Sequence, residues 1–129
     1  MPKSDYLKTQ VLNYVLRADA SSFTAPTVVY LALFTVAPTD AGGGTEVSGG
    51  SYTRISVTFG APSGNQVTNT VAVDFPMATA DWGTVVAFAL FDAVSGGSML
   101  YWNNLTATRE ILTNDQARYP AGQLIVTEA

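Results

Sequence analysis

The chain has 129 residues, a net charge of −4, and neither cysteine nor histidine. A chain of this length is one ordinary domain that can bury its own core, and without cysteine no disulfide framework is available or needed. The missing histidine and cysteine exclude the usual zinc ligands, the His-based triad, the Cys–His dyad and the commonest general base.

The first element is a helix predicted over residues 4–16. Ser4 is its N-cap and Asp5 suits the positive end of the dipole. Leu7, Val11 and Val15, flanked by Leu12, Tyr14 and Leu16, give it a broad apolar stripe. The first role expected of that stripe is packing on the domain's own sheet; the second is docking on a neighbour. After Pro26, residues 27–35 (TVVYLALFT) are apolar at both parities, the pattern of a strand buried on both faces. Residues 36–51 form a glycine-rich arm, and a loop of that length between strands is unusual unless it has a job. Residues 52–59 alternate, with Ile55, Val57 and Phe59 on one face and Arg54, Ser56 and Thr58 on the other.

Residues 61–65 are a turn. Residues 67–75 are a further strand, with a bend near Asn69 and Thr70. Trp82 precedes Gly83 where a loop re-enters the core. Residues 84–91 (TVVAFALF) are a second strand apolar throughout, and residues 99–102 return as its hairpin partner. Residues 103–109 read as polar and irregular, residues 110–113 as a short strand, Asn114-Asp115 as a turn, and residues 124–126 as the last strand. The fold class is therefore mainly β. It is a single β-sandwich or jelly-roll-like domain over residues 1–129, with one N-terminal amphipathic helix and about seven to nine short strands over 27–127.

Only 12% of residues are charged and 47% are hydrophobic, against about 25% charged in an ordinary soluble domain. The surface is then either that of a neutral, Thr- and Ser-rich β protein or one covered by neighbouring subunits, since interface cores are depleted in charge. Lys3, Lys8 and Arg17 outnumber Asp5 and Asp19 by one in the first twenty residues. Beyond them three arginines face eight acids, for −5. No basic stripe marks a nucleic-acid partner. No apolar run reaches the length of a membrane span, and the start lacks the apolar stretch of a secretory signal. Neither nucleic acid nor membrane is an expected partner, and the expected place of synthesis is the cytoplasm.

The acids stand singly, so no catalytic residue is assigned; a carboxylate pair made by folding usually needs a larger scaffold with a deep cleft. Gly42-Gly43-Gly44 lacks the lysine of a phosphate-binding loop and opens no helix. A calcium site from Asp40 and Glu46 matches no known spacing. No metal ligand and no cofactor is assigned. The candidate contact residues are Asp40, Glu46, Tyr52 and Arg54 in and beside the glycine-rich arm, where Glu46 and Arg54 are of opposite charge and placed to pair. Trp102 is the candidate exposed aromatic, because Tyr101 and Trp102 point to opposite faces of one strand. A carbohydrate-binding module using Trp82 or Trp102 is the reading from a different functional class.

Three stretches carry a resemblance. They are residues 30–35 (YLALFT), residues 38–54 with Pro38-Thr39-Asp40-Ala41-Gly42 and Gly44-Thr45-Glu46-Val47-Ser48-Gly49-Gly50-Ser51-Tyr52-Thr53-Arg54, and residues 80–97 with Asp81-Trp82-Gly83, Phe91-Asp92-Ala93 and Ser95-Gly96-Gly97. With them the chain resembles a family of small virion proteins of tailed bacteriophages, whose members are labelled tail-fibre proteins or capsid cement proteins. The resemblance implies a non-enzymatic structural protein of the virion. The first expectation is a capsid cement or decoration protein, a trimer that binds the major capsid protein on the outer head surface. The second is a tail-fibre or tail-adaptor component among neighbouring virion proteins. On either, residues 36–51 are expected to reach onto an adjacent subunit.

Overall fold

A computed structural model describes residues 2–19 and 23–128. Helix α1 (Asp5–Val11) is followed by one π-helical turn (Leu12–Leu16). Nine strands follow among the described residues: β1 (Val29–Val36), β2 (Thr45–Glu46), β3 (Ile55–Val57), β4 (Gln66–Thr68), β5 (Val73–Asp74), β6 (Gly83–Phe91), β7 (Met99–Ile111), β8 (Arg118–Tyr119) and β9 (Ile125–Thr127). The class is the expected one, mainly β with a single N-terminal helix and a sandwich-like arrangement.

One layer is a five-stranded antiparallel sheet in the order β2–β1–β6–β7, with β3 sharing the β2 side of β1. The other layer consists of two short antiparallel pairs, β4 with β9 and β5 with β8. The main core contains Leu31 and Leu33 of β1, Val85 and Leu90 of β6, Ile111 of β7, and Val73, Phe75, Trp82, Leu124 and Val126. A smaller cluster holds Ala32, Phe34, Ala87, Ala89 and Met99, with Phe91 and Trp102 against it. Strand β1 therefore sends alternate residues to two clusters, which is why it is apolar at both parities. In β6, Val85 and Ala87 share a parity yet join different clusters. The register breaks between them, and β7 inserts three more residues there than β6 does. Such a bulge turns the strand and exchanges its faces.

That insertion also accounts for residues 103–109. They read as irregular in sequence but belong to β7, which continues through the bulge to pair Glu110 with Thr84 and Ile111 with Gly83. The predicted single strand over 67–75 is instead two, β4 and β5, in different pairs. Asn69 sits between them and is buried. Its Nδ2 donates to the carbonyls of Val71 (2.9 Å) and Pro120 (3.2 Å), and its Oδ1 accepts from the amides of Gly122 (3.1 Å) and Leu124 (3.0 Å). A buried amide with this many partners fixes the second layer, since each group left unpaired would carry a desolvation cost.

Ser4 caps α1 as the sequence indicates, with extended backbone angles and its Oγ accepting from the Leu7 amide at 3.1 Å. The helix is shorter and less covered than its stripe implies. Only Leu7 of α1 is buried, and the π-helical turn buries nothing. The expectation that the stripe packs on the domain's own sheet holds for the first turn alone.

Candidate assembly surface

The residues singled out around the glycine-rich arm fall into two clusters. In the first, Arg54 and Glu46 form a bidentate pair, with Nε to Oε2 and a terminal nitrogen to Oε1, both at 2.9 Å. Tyr52 donates its hydroxyl to Glu46 Oε2 at 2.7 Å. The second terminal nitrogen of Arg54 donates to the carbonyls of Ala93 (2.9 Å) and Gly96 (2.8 Å), and the guanidinium lies 3.8 Å above the centre of the Phe91 ring. Alternation put Arg54 on the polar face of its strand, yet it is buried. Only a planar fork with five donors could be satisfied there, by a carboxylate, two carbonyls and a ring face.

Tyr52 has a second task. Strand β3 pairs with Val29 to Leu31 of β1 and strand β2 with Phe34 and Val36, which leaves a gap at Leu33. The Leu33 amide fills that gap by donating to the Tyr52 hydroxyl at 3.0 Å, and the Leu33 carbonyl accepts from the Val47 amide at 3.0 Å. Burial, and then the hydrogen bond to Glu46, pushes the Tyr52 phenol far up, so it stays a protonated donor. Both glycine-rich turns serve this cluster. A Cβ on Gly97 would come within 2.4 Å of Asp92 Oδ1, the oxygen that accepts from the Ser98 amide at 2.7 Å. Gly97 therefore lets the 92–98 turn close and aim its carbonyls at Arg54. Gly50 accepts from Trp82 Nε1 at 2.9 Å, and a Cβ there would meet that same nitrogen at 2.8 Å.

Asp40 belongs to a separate cluster. It accepts from Lys8 Nζ at 2.6 Å and from Trp102 Nε1 at 2.8 Å, and its carbonyl accepts from the Asp5 amide at 2.7 Å. The Lys8 hydrogen bond, then that of Trp102, holds the Asp40 carboxyl below its usual range. Lys3 and Glu128, close to the two ends of the described residues, meet nearby. Residues 2–4 pair along the outer edge of β7, and Lys3 and Tyr101 both bond the carboxylate of Glu128. Burial pushes Glu128 up, but these two hydrogen bonds outweigh it and its carboxyl lies below the ordinary value.

Each candidate residue has partners within its own chain. The arm is fastened to its own chain at Asp40 and at Glu46, so it is no free extension. Trp102 is half-buried against the smaller cluster with its N–H taken by Asp40, and Trp82 is buried in the core. Asp40 and Glu46 border one hollow of about 430 Å³, but each has its own cation, and no group of three potential ligands gathers among the described residues. The sequence named the four polar residues but missed Ala93, Gly96 and Phe91, which complete the Arg54 cluster. The Ser95-Gly96-Gly97 turn was their signal.

The least satisfied surface is apolar. On the helical segment Val11, Leu12, Val15 and Leu16 are 39%, 54%, 66% and 75% exposed. Between the two layers an apolar cleft of about 550 Å³ is lined by Val29, Phe59, Val67, Leu90, Leu100 and Val126, with Glu128 at its lip. Apolar side chains left open on the helical segment and in the cleft suit a structural protein that works through contacts. The profile described as Podophage GP4 fiber I protein gp80 matches residues 2–127, and the chain belongs to that family of tailed-phage virion structural proteins. No curated protein matches it.

Proposed function

We propose that the chain is a structural subunit of a phage tail fibre, acting by protein–protein contact and catalysing no reaction. The description of its family, a podophage fibre protein, supports the tail over the capsid surface that the sequence puts first. The observation that carries the contact role is the exposed apolar stripe of Val11, Leu12, Val15 and Leu16. Uncovered apolar side chains grouped on one element mark interaction surfaces. The absence of catalysis is supported by the lack of histidine and cysteine. It is supported also by the carboxylates of Asp40, Glu46 and Glu128, each of which is held by a cation of the same chain.

Counting copies in purified particles tests the address. A fibre subunit is present in few copies, and antibody label gathers at one vertex. A copy number matching that of the major capsid protein, with label over the whole head, would replace the fibre reading with the cement one.

A further inference from the structure

We propose that residues 2–8 are an exchangeable strap, which one copy of the chain lays along the edge of strand β7 in a second copy. The inference rests on the structural role proposed above and names the partner as another copy of the chain.

The strap is bound as an added strand. The Ser4 amide donates to the Leu100 carbonyl at 2.9 Å and the Trp102 amide to the Pro2 carbonyl at 3.1 Å, on either side of the Lys3–Tyr101 pair. Ser4 Oγ also donates to the Met99 carbonyl. Charges and one further amide close the seat: Lys3 meets Glu128, Lys8 meets Asp40, and the Asp5 amide donates to the Asp40 carbonyl. Without the strap, residues 99–102 would be an open sheet edge, which is a template for another strand.

Each of these bonds joins a residue before position 9 to one after position 39. Such a bond has the same geometry whether the two residues belong to one copy or to two. The body does not need the strap to be its own. Neither core cluster includes any of residues 2–11, and Leu7 is their single buried apolar side chain. Residues 17–28 join the helical segment to β1, with no helix or strand among those described. Extended, a dozen residues span about 40 Å, and a compact domain of this length is about 35 Å across. The strap reaches the same edge on an adjoining copy.

Mass action sets when it does so. On a short linker the strap meets its own edge at an effective concentration of about 1 mM. A dilute chain therefore keeps its strap, and copies held side by side in a particle exchange theirs. Reciprocal exchange closes a two-fold dimer in which every bond of the strap is kept.

Disulfide trapping tests the exchange, because the chain has no cysteine. Lys3 and Tyr101 form a non-hydrogen-bonded antiparallel pair. The Cα atoms of such a pair lie about 4.5 Å apart, within reach of a disulfide. Lys3→Cys and Tyr101→Cys placed in one chain should close within the monomer in dilute solution. As single variants mixed at about 1 mM in glutathione buffer, they should give the mixed dimer at least about tenfold above either like-with-like dimer. Circular dichroism checks the fold. If Tyr101→Cys does not fold, Lys3→Glu is mixed with Glu128→Lys instead. Each strap then finds its opposite charge only on the other variant, and ultracentrifugation at the same concentration should show a heterodimer. Like-with-like disulfides in equal yield overturn the proposal, as does a mixture of the charge variants that stays monomeric. So does a double-cysteine chain that fails to close, since the strap would then not lie on this edge. These readings concern the strap alone, whereas particle copy number and label position concern the fibre role.

Discussion

The cluster around Arg54 and the end of the N-terminal helix differ in what they leave for a partner. Arg54 gathers β2, the 92–98 turn and the Phe91 ring, and four of its hydrogen bonds are made inside the chain. Leu16 touches little and is three-quarters exposed. Polar residues beside glycine-rich loops suggest a contact surface, yet here they hold the fold together. The apolar helix, which suggests an internal element, is the surface left open. A polar group is costly to bury unless it is fully bonded, so once satisfied it is committed. An apolar side chain left in water keeps its transfer free energy for whatever covers it later.

The comparison breaks most sharply at Arg54. Arg54→Ala removes a buried fork and leaves the Glu46 carboxylate and two carbonyls without it, which costs about 3 kcal/mol or more. Arg54→Lys does not restore the loss, because an ammonium cannot bond a carboxylate in two parallel contacts and a ring face together. Chemical denaturation reads both variants, and a Lys variant as stable as the wild type would show that charge alone suffices. The next effect is at Gly97, where φ is +71° and a Cβ overlaps Asp92 and Ala93. Gly97→Ala costs about 1–3 kcal/mol, and a crystal structure of the variant should show the 92–98 turn drawn away from Arg54.

How much of this was legible in the sequence follows the same division. Strands β1 and β6, the Ser4 cap and the opposite charges of Glu46 and Arg54 rest on local signals: parity, a capping residue, and charge across a glycine turn. The continuation of β7 through residues 103–109 was hidden, because a bulge of three residues has no periodicity of its own. The burial of Arg54 was hidden for another reason. Alternation assigns a face to a residue but does not reveal that a distant turn covers that face. Asn69 looked like a bend because its role depends on carbonyls fifty residues away.

Smaller effects sharpen the helix side of the comparison. Ser4→Ala removes the cap and costs about 1 kcal/mol, read as faster hydrogen exchange over residues 5–11 with the core strands unchanged. Exchange equally fast across the whole chain would mean that α1 is integral to the core. Acid acts on the same segment through Asp40 and Glu128. Both carboxyls are lowered in the fold, so their contribution is complete above the ordinary carboxylate range and is lost as pH falls through the lowered values. Lys8 is raised, by its hydrogen bond to Asp40, and loses its part only as pH climbs above that raised value. Acid therefore loosens residues 2–11 before the core, seen as a change in Trp102 fluorescence. Asp40→Asn removes the share of that change due to Asp40.

The smallest effect is expected at Leu16. Its side chain is already in water in the folded monomer, so replacing it by serine forfeits almost no transfer free energy. Leu16→Ser should leave the unfolding free energy of the dilute chain within about 0.5 kcal/mol of the wild type. The comparison with Arg54 turns on this near-zero value. A loss above about 1 kcal/mol under those conditions would mean that the isolated chain covers its own helix end. The stripe would then be an internal element after all. A value near zero means that the isolated chain leaves Leu16 uncovered.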